Sequence, residues 1–143
     1  MTFTVIGLPA PQGSKRHVGH GVMIESSKAV KPWREAVAHA AFAARLGAQP
    51  LDGPLYLRAR FYLPRPASLS KRKLALGPCR KPDIDKLLRS TLDGIVQSGA
   101  IVDDARIVRC EVEKEYAIPS GYSGALISVE PVDRGGTSPV EGS

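Results

Sequence analysis

Cysteine is scarce in this chain of 143 residues: only Cys79 and Cys110 occur, and not at C-x-x-C spacing. That excludes a disulfide scaffold and a cysteine-only zinc site, and it fits a reducing compartment. No apolar run approaches the length of a membrane-spanning helix. The opening MTFTVIGLPAP has no basic region ahead of its short apolar stretch, so neither a membrane span nor a secretory signal is read there. The expectation is a soluble, cytoplasmic protein. Glycine-rich phosphate loops are absent too. Without a P-loop or a G-x-G-x-x-G, no nucleotide cofactor is expected.

Acidic residues are missing from one half of the chain. Residues 1–81 hold fourteen Lys or Arg against only Glu25, Glu35 and Asp52, a net of +11; residues 82–143 hold six against eleven, a net of −5. Five of the fourteen acids fall in the 24 residues KPDIDKLLRSTLDGIVQSGAIVDD, from Lys81 to Asp104. An electropositive half beside a compact group of carboxylates suits a protein that attracts a polyanion and holds cations against it. A sequence pI near 9.6 agrees with a nucleic-acid partner.

The elements follow from periodicity. TFTVIGL reads as a strand ended by Pro9, and PAPQGSKRHVGHG as loop, with a short strand at Val22–Ile24. Trp33, Val37, Ala40, Ala41 and Ala44 recur at helical spacing, which predicts a helix over 32–46 with Pro32 first and Gly47 as the stop. In LYLRARFYL, Leu55, Leu57, Ala59, Phe61 and Leu63 alternate with Tyr56, Arg58, Arg60 and Tyr62, a strand with one buried face. RPASLSKRKLALGPCRK then reads as a basic, mobile connector. A second helix is predicted over 84–97 from Leu87, Leu88, Leu92, Ile95 and Val96. RIVRCEVEKEY predicts a half-buried strand with Val108, Cys110 and Val112 inward, and ALISVE a last strand. The fold class is α+β: one small domain over 1–132, a mixed β-sheet against two main helices in the order β-(β)-α-β-α-β-β, then a disordered tail over 133–143.

The carboxylates carry the chemistry. Asp83 and Asp85 straddle the start of the second helix, where an acid caps free N–H groups and meets the positive end of the helix dipole; Asp103 and Asp104 suit an ordinary turn. The helix spans roughly 20 Å, so the two pairs lie at its opposite ends unless the AIV segment runs back to bring Asp104 beside the helix start. Converging carboxylates would take up protons or hold divalent cations, and oxygen-only ligands suit Mg²⁺ or Mn²⁺. An EF-hand is excluded because Leu87 and Leu88 stand where that loop needs an oxygen ligand and glycine. His17 and His20, in a glycine-rich loop, read as phosphate contacts rather than a metal pair.

At KPDIDKLLRSTLDGIVQSGAIVDDARIV the chain resembles the RusA-like Holliday junction resolvases: a basic residue, D-x-D, an amphipathic helix with an internal Asp, then G-x-x-x-D-D and an apolar strand. The resemblance extends more loosely to PAPQGSKR, to the helix containing Trp33-Arg34-Glu35, and to the strand before the basic connector. It implies that Asp83, Asp85 and Asp104 are catalytic metal ligands, that Asp103 is the acid beside the third, and that Asp93 is structural. Arg89 stands where the family has a catalytic lysine, and Lys86 is the neighbouring substitute. The implied function is metal-dependent resolution of four-way DNA junctions by paired symmetric hydrolysis, with Mg²⁺ or Mn²⁺ and a homodimer. Lys15, Arg16, Lys71, Arg72, Lys73, Arg80 and Lys81 would grip backbone phosphates, which give position rather than sequence. Two other functions fit the composition: a DNA-binding module whose acids only cap, and a metal-dependent phosphotransfer enzyme acting on small molecules.

Overall fold

A computed structural model describes residues 1–13, 28–119 and 121–132, and the backbone of 15–17 and 23–25. The side chains of Lys15, Arg16 and His17, all of His20, and the tail from 133 lie outside the described residues.

The elements in order are β1 (Thr2–Ile6), β2 (Lys15–His17), β3 (Met23–Glu25), α1 (Val30–Ala44), β4 (Leu55–Leu63), α2 (Lys71–Leu76), α3 (Ile84–Ser98), a 3-10 turn (Asp104–Arg106), β5 (Ile107–Tyr116) and β6 (Gly124–Pro131). The main sheet has the order β1-β6-β4-β5, with β4 and β5 parallel and the other pairs antiparallel. Parallel neighbours need a long crossover, and here it carries α2 and α3. The fold is therefore α+β with a mixed sheet, as expected, but with two more elements than the sequence order allowed.

One is β2, in a segment read as loop, which pairs with β3 at the short strand expected over 22–24, Arg16 standing opposite Ile24. The other is α2, in the connector expected to be mobile. Its residues KRKLAL are good helix formers, and Ser70 caps them by accepting from the Lys73 N–H at 3.2 Å. Six residues are too few to display a helical period.

The predicted inward face of β4 is the centre of the core: Leu55, Leu57 and Phe61 are wholly buried, and Ile127 and Val129 of β6 flank them. Trp33 and Val37 of α1 and Leu87 and Ile95 of α3 close over that face. Trp33 meets the Phe61 ring at 6.3 Å and donates its indole N–H to the buried Thr91 hydroxyl at 3.2 Å. Gly94 lets the two helices approach: a Cβ there would stand 2.8 Å from the Arg34 carbonyl oxygen and 2.9 Å from the Val37 side chain.

Strand β5 departs from its expected pattern. It lies at the sheet edge with a register shift opposite Leu55 and Tyr56, and Val108 and Cys110 are exposed while Val112 is only partly covered. The open face of the sheet carries an ionic ladder: Arg58–Glu111 at 3.5 Å, Arg60–Glu113 at 3.2 Å and Arg60–Glu115 at 3.8 Å. Such exposed pairs contribute roughly 0–1 kcal/mol each. They do engage two of the cations in the long basic stretch, leaving those of α2 and the following loop for other work.

Candidate active site at the ends of helix α3

Helix α3 begins where the chain leaves Pro82, and three contacts fix that corner. The Lys114 ammonium on β5 donates to the carbonyl oxygens of Arg80 (2.9 Å) and Pro82 (3.0 Å). The Gln12 N–H donates to the Lys86 carbonyl at 3.0 Å, and the buried Ser90 hydroxyl donates to the Ala10 carbonyl at 2.6 Å. The N-terminal PAPQ segment thus lies along the first turns of α3, and Arg34 reaches Gln12 Oε1 at 3.3 Å to tie it to α1. The segment that continues to Lys15 and Arg16 leaves from beside these turns.

Asp83 occupies the N-cap position of α3 in an extended conformation, yet its side chain makes no capping hydrogen bond. Its nearest partner is Lys86, with Oδ2 and Nζ 3.8 Å apart. Asp85 follows in the first turn, exposed, and Arg89 is exposed one turn on. The two form no ion pair among the described residues. The capping role that would account for Asp83 in an ordinary protein is therefore not the role its carboxylate has here. Its oxygens remain accessible at the positive end of the helix, beside Arg80 and Lys81.

Asp103 and Asp104 sit elsewhere. The AIV segment does not return along α3: Ile101 bridges to Leu51, with Leu51 N–H donating to the Ala100 carbonyl and Val102 N–H donating to the Leu51 carbonyl. That pairing carries the chain to the start of β5. Lys114, which marks the Asp83 end, is seven residues further along β5 than Ile107, roughly 23 Å at the rise of a strand. The Asp83–Asp85 and Asp103–Asp104 pairs consequently lie toward opposite ends of α3, and one chain does not bring them together. Among the described residues no group of three or more His, Cys, Asp or Glu stands placed to hold a metal ion.

The second pair is electrostatically stressed. A hydrogen bond with the Asp103 carboxyl raises Asp104 above the ordinary Asp value, and desolvation and the charges of Asp103 and Asp93 push the same way. Asp103 is lowered, first by the Ala105 N–H that it accepts at 3.2 Å and then by its bond with Asp104. Asp103 is thus the capping member and Asp104 the one whose affinity for a proton is raised. Asp93, assigned only a structural role from the sequence, contributes to that repulsion from the flank of α3.

These donors fit a hard divalent cation in kind. A pair of carboxyls whose charges repel is relieved by a cation as it is by a proton. Mg²⁺ is commonly bound through one or two carboxylates while water and substrate phosphates complete its shell. Each acidic pair has the composition of such a half-site.

Of the connector's cations, Arg80 and Lys81 adjoin Asp83 along the chain. Lys71, Arg72 and Lys73 on α2, and Arg80 and Lys81 in the loop before α3, are all exposed. Sequence reading missed Lys114, which looked like one more charge on a strand edge. Its position on the helix-facing side of β5, in register with Phe61, follows only from the parallel pairing.

The profile of the family described as Endodeoxyribonuclease RusA matches residues 7–122, which hold the PAPQ segment, all three helices and all four acids. No match among curated proteins accompanies it. With most of its length matched to that profile, and with the acids and cations arranged about α3 as described, this chain belongs to the RusA family of endodeoxyribonucleases, which resolve Holliday junctions.

Proposed function

We propose that this protein resolves four-way DNA junctions by paired, symmetric, metal-dependent hydrolysis, acting as a homodimer. The observation that carries the reading is the Asp83 carboxylate, held at the head of α3 without a capping bond and beside exposed Arg80 and Lys81. A structural acid at an N-cap would be engaged with the N–H groups of the first turn.

In this reading Asp83, Asp85 and Asp104, with Asp103 beside it, are the residues that would hold Mg²⁺ or Mn²⁺. The bound cation supplies Lewis-acid charge to water and phosphodiester. Because the two pairs are at opposite ends of one helix, the second pair comes from the other subunit. A two-fold arrangement then gives two equivalent sites, which matches the symmetry of a four-way junction. Lys86, paired with Asp83 at 3.8 Å, would be available to a DNA phosphate at the same corner. Arg89 adds a positive charge that offsets the charge building on the phosphoryl oxygens, and a guanidinium is a poor proton donor. Lys71, Arg72, Lys73, Arg80 and Lys81, with Lys15 and Arg16, anchor the arms through backbone phosphates.

The test uses a labelled synthetic junction and a matched duplex, with Mg²⁺ or EDTA, beside Asp83→Asn. Symmetric nicks should appear only with native protein, junction and Mg²⁺, while the variant still binds. Binding with no cleavage in any metal would identify a non-catalytic DNA-binding module. Turnover of small phosphate esters would identify a phosphotransfer enzyme.

A further inference from the structure

A cleft of about 420 Å³ opens beside the Asp83 end of α3. Its walls come from the N-terminal Leu8–Pro11 segment, the end of β4 with Pro64 and Pro66, and the loop through Pro78, Arg80, Lys81 and Pro82, with Ala29 before α1 and Tyr116 of β5 beside them. We infer that this cleft takes an unstacked nucleobase from the branch point, stacked against Tyr116 and the proline rings, next to the phosphate presented to Asp83. The inference rests on the junction-resolving reading above and adds to it a device for telling a junction from plain duplex.

The lining is mostly apolar and rich in proline, and its charged members are Arg80 and Lys81, both positive and both immediately before Pro82-Asp83. A flat heteroaromatic ring attached to a phosphate matches both features. An acidic peptide would leave the proline walls unmatched, and an apolar helix would leave the two cations unmatched. The volume falls within the roughly 300–1,000 Å³ of ordinary small-ligand clefts. The walls are also preformed. Proline restricts the backbone of each segment, and the Lys114 bonds to the Arg80 and Pro82 carbonyls fix the loop to the sheet.

Extruding a base costs least where pairing and stacking are already broken. In a duplex every base is paired and stacked on both sides, whereas at an open branch point the stacking across the junction is already lost and the remaining cost is smaller. A base site adjoining the scissile phosphate therefore selects for the junction, while the basic residues around it bind either DNA through phosphates.

The experiment places 5-iodouracil, which couples under light to an aromatic ring it stacks on, singly at positions flanking the branch of a four-way junction and in matched duplex. Native protein in EDTA should cross-link at Tyr116 from one position in the junction and from none in the duplex. Ala29→Leu narrows the cleft from its exposed rim. It should remove that cross-link and lower the preference for junction over duplex about tenfold, with duplex affinity unchanged. Cross-links that map elsewhere, or an Ala29→Leu protein with its preference intact, overturn the base site and leave the nuclease reading standing. A protein that neither binds nor cuts junctions overturns both.

Discussion

Lys114 holds Pro82: an ammonium on the edge strand donates 3.0 Å to the carbonyl of the last residue before Asp83, and 2.9 Å to Arg80 in the same loop. The sheet thereby sets where α3 starts, and so where the Asp83 and Asp85 carboxylates stand. A charged donor on two carbonyls orients a loop without touching the substrate, which makes Lys114 a positioning residue.

Replacing Lys114 with Met should keep the fold and lose the placement. Displacement of a reacting group by about 1 Å can cost about a hundredfold in rate, so junction cleavage should fall by roughly that factor while junction affinity stays within severalfold. Lys114→Arg, which can still donate, should recover part of the rate. A Met variant that cuts at the native rate and at the same Mg²⁺ concentration would show that the loop needs no such anchor.

The separation of the two acidic pairs makes a sharper prediction. Asp83→Asn and Asp104→Asn homodimers should each be inactive. Co-expressed with different tags and purified as the mixed dimer, they should recover nicking at one site only. In a site shared between subunits, one site of the mixed dimer holds both substitutions and the other holds neither. If each chain carried a complete site, both sites of the mixed dimer would be broken. Gel analysis of the junction strands distinguishes single nicks from silence.

That geometry was the least legible part of the sequence. The alternation of LYLRARFYL and the stripe Leu87, Ile95 gave the buried faces of β4 and α3 correctly, since a period of two or 3.6 directly reports a core contact. The D-x-D and D-D positions were equally visible. Where those acids meet depends instead on how the AIV segment docks, and its pairing with Leu51 is a long-range event with no local signal. The exposure of Val108 and Cys110 has the same cause, because an edge strand and a central strand can share an alternating pattern. Helix α2 was hidden for the opposite reason, a local cap at Ser70 within a run whose charge suggested loop.

The α1–α3 contact should fail at Gly94. Adding a Cβ there puts it 2.8 Å from the Arg34 carbonyl and 2.9 Å from Val37, and neither backbone nor a buried β-branched side chain yields easily. Overpacking of this sort costs about 1–3 kcal/mol, so Gly94→Ala should lower the denaturation midpoint even though alanine favours helix. Gly99→Ala is a contrasting control. No atom lies near its Cβ, and its strain comes from the left-handed backbone with φ near +80°.

Stability at low pH should depend in part on Asp52. Its carboxyl is lowered below the ordinary value of 3.8 by the Arg106 guanidinium, which donates to it at 2.6 Å, and by the Gly53 N–H at 2.7 Å. A group whose pKa is depressed on folding stabilises the protein above its unfolded value, and that stabilisation is lost as pH falls through the folded value. The difference in melting temperature between native protein and Asp52→Asn should therefore be constant near neutrality. It should shrink as pH drops below about 3.8, the unfolded Asp value. This pair joins the turn before β4 to the residue before β5, so the same comparison reports whether the Asp104 end of the site is held to the sheet. A gap that stayed flat through that range would mean that Arg106 is not bound to Asp52 in solution.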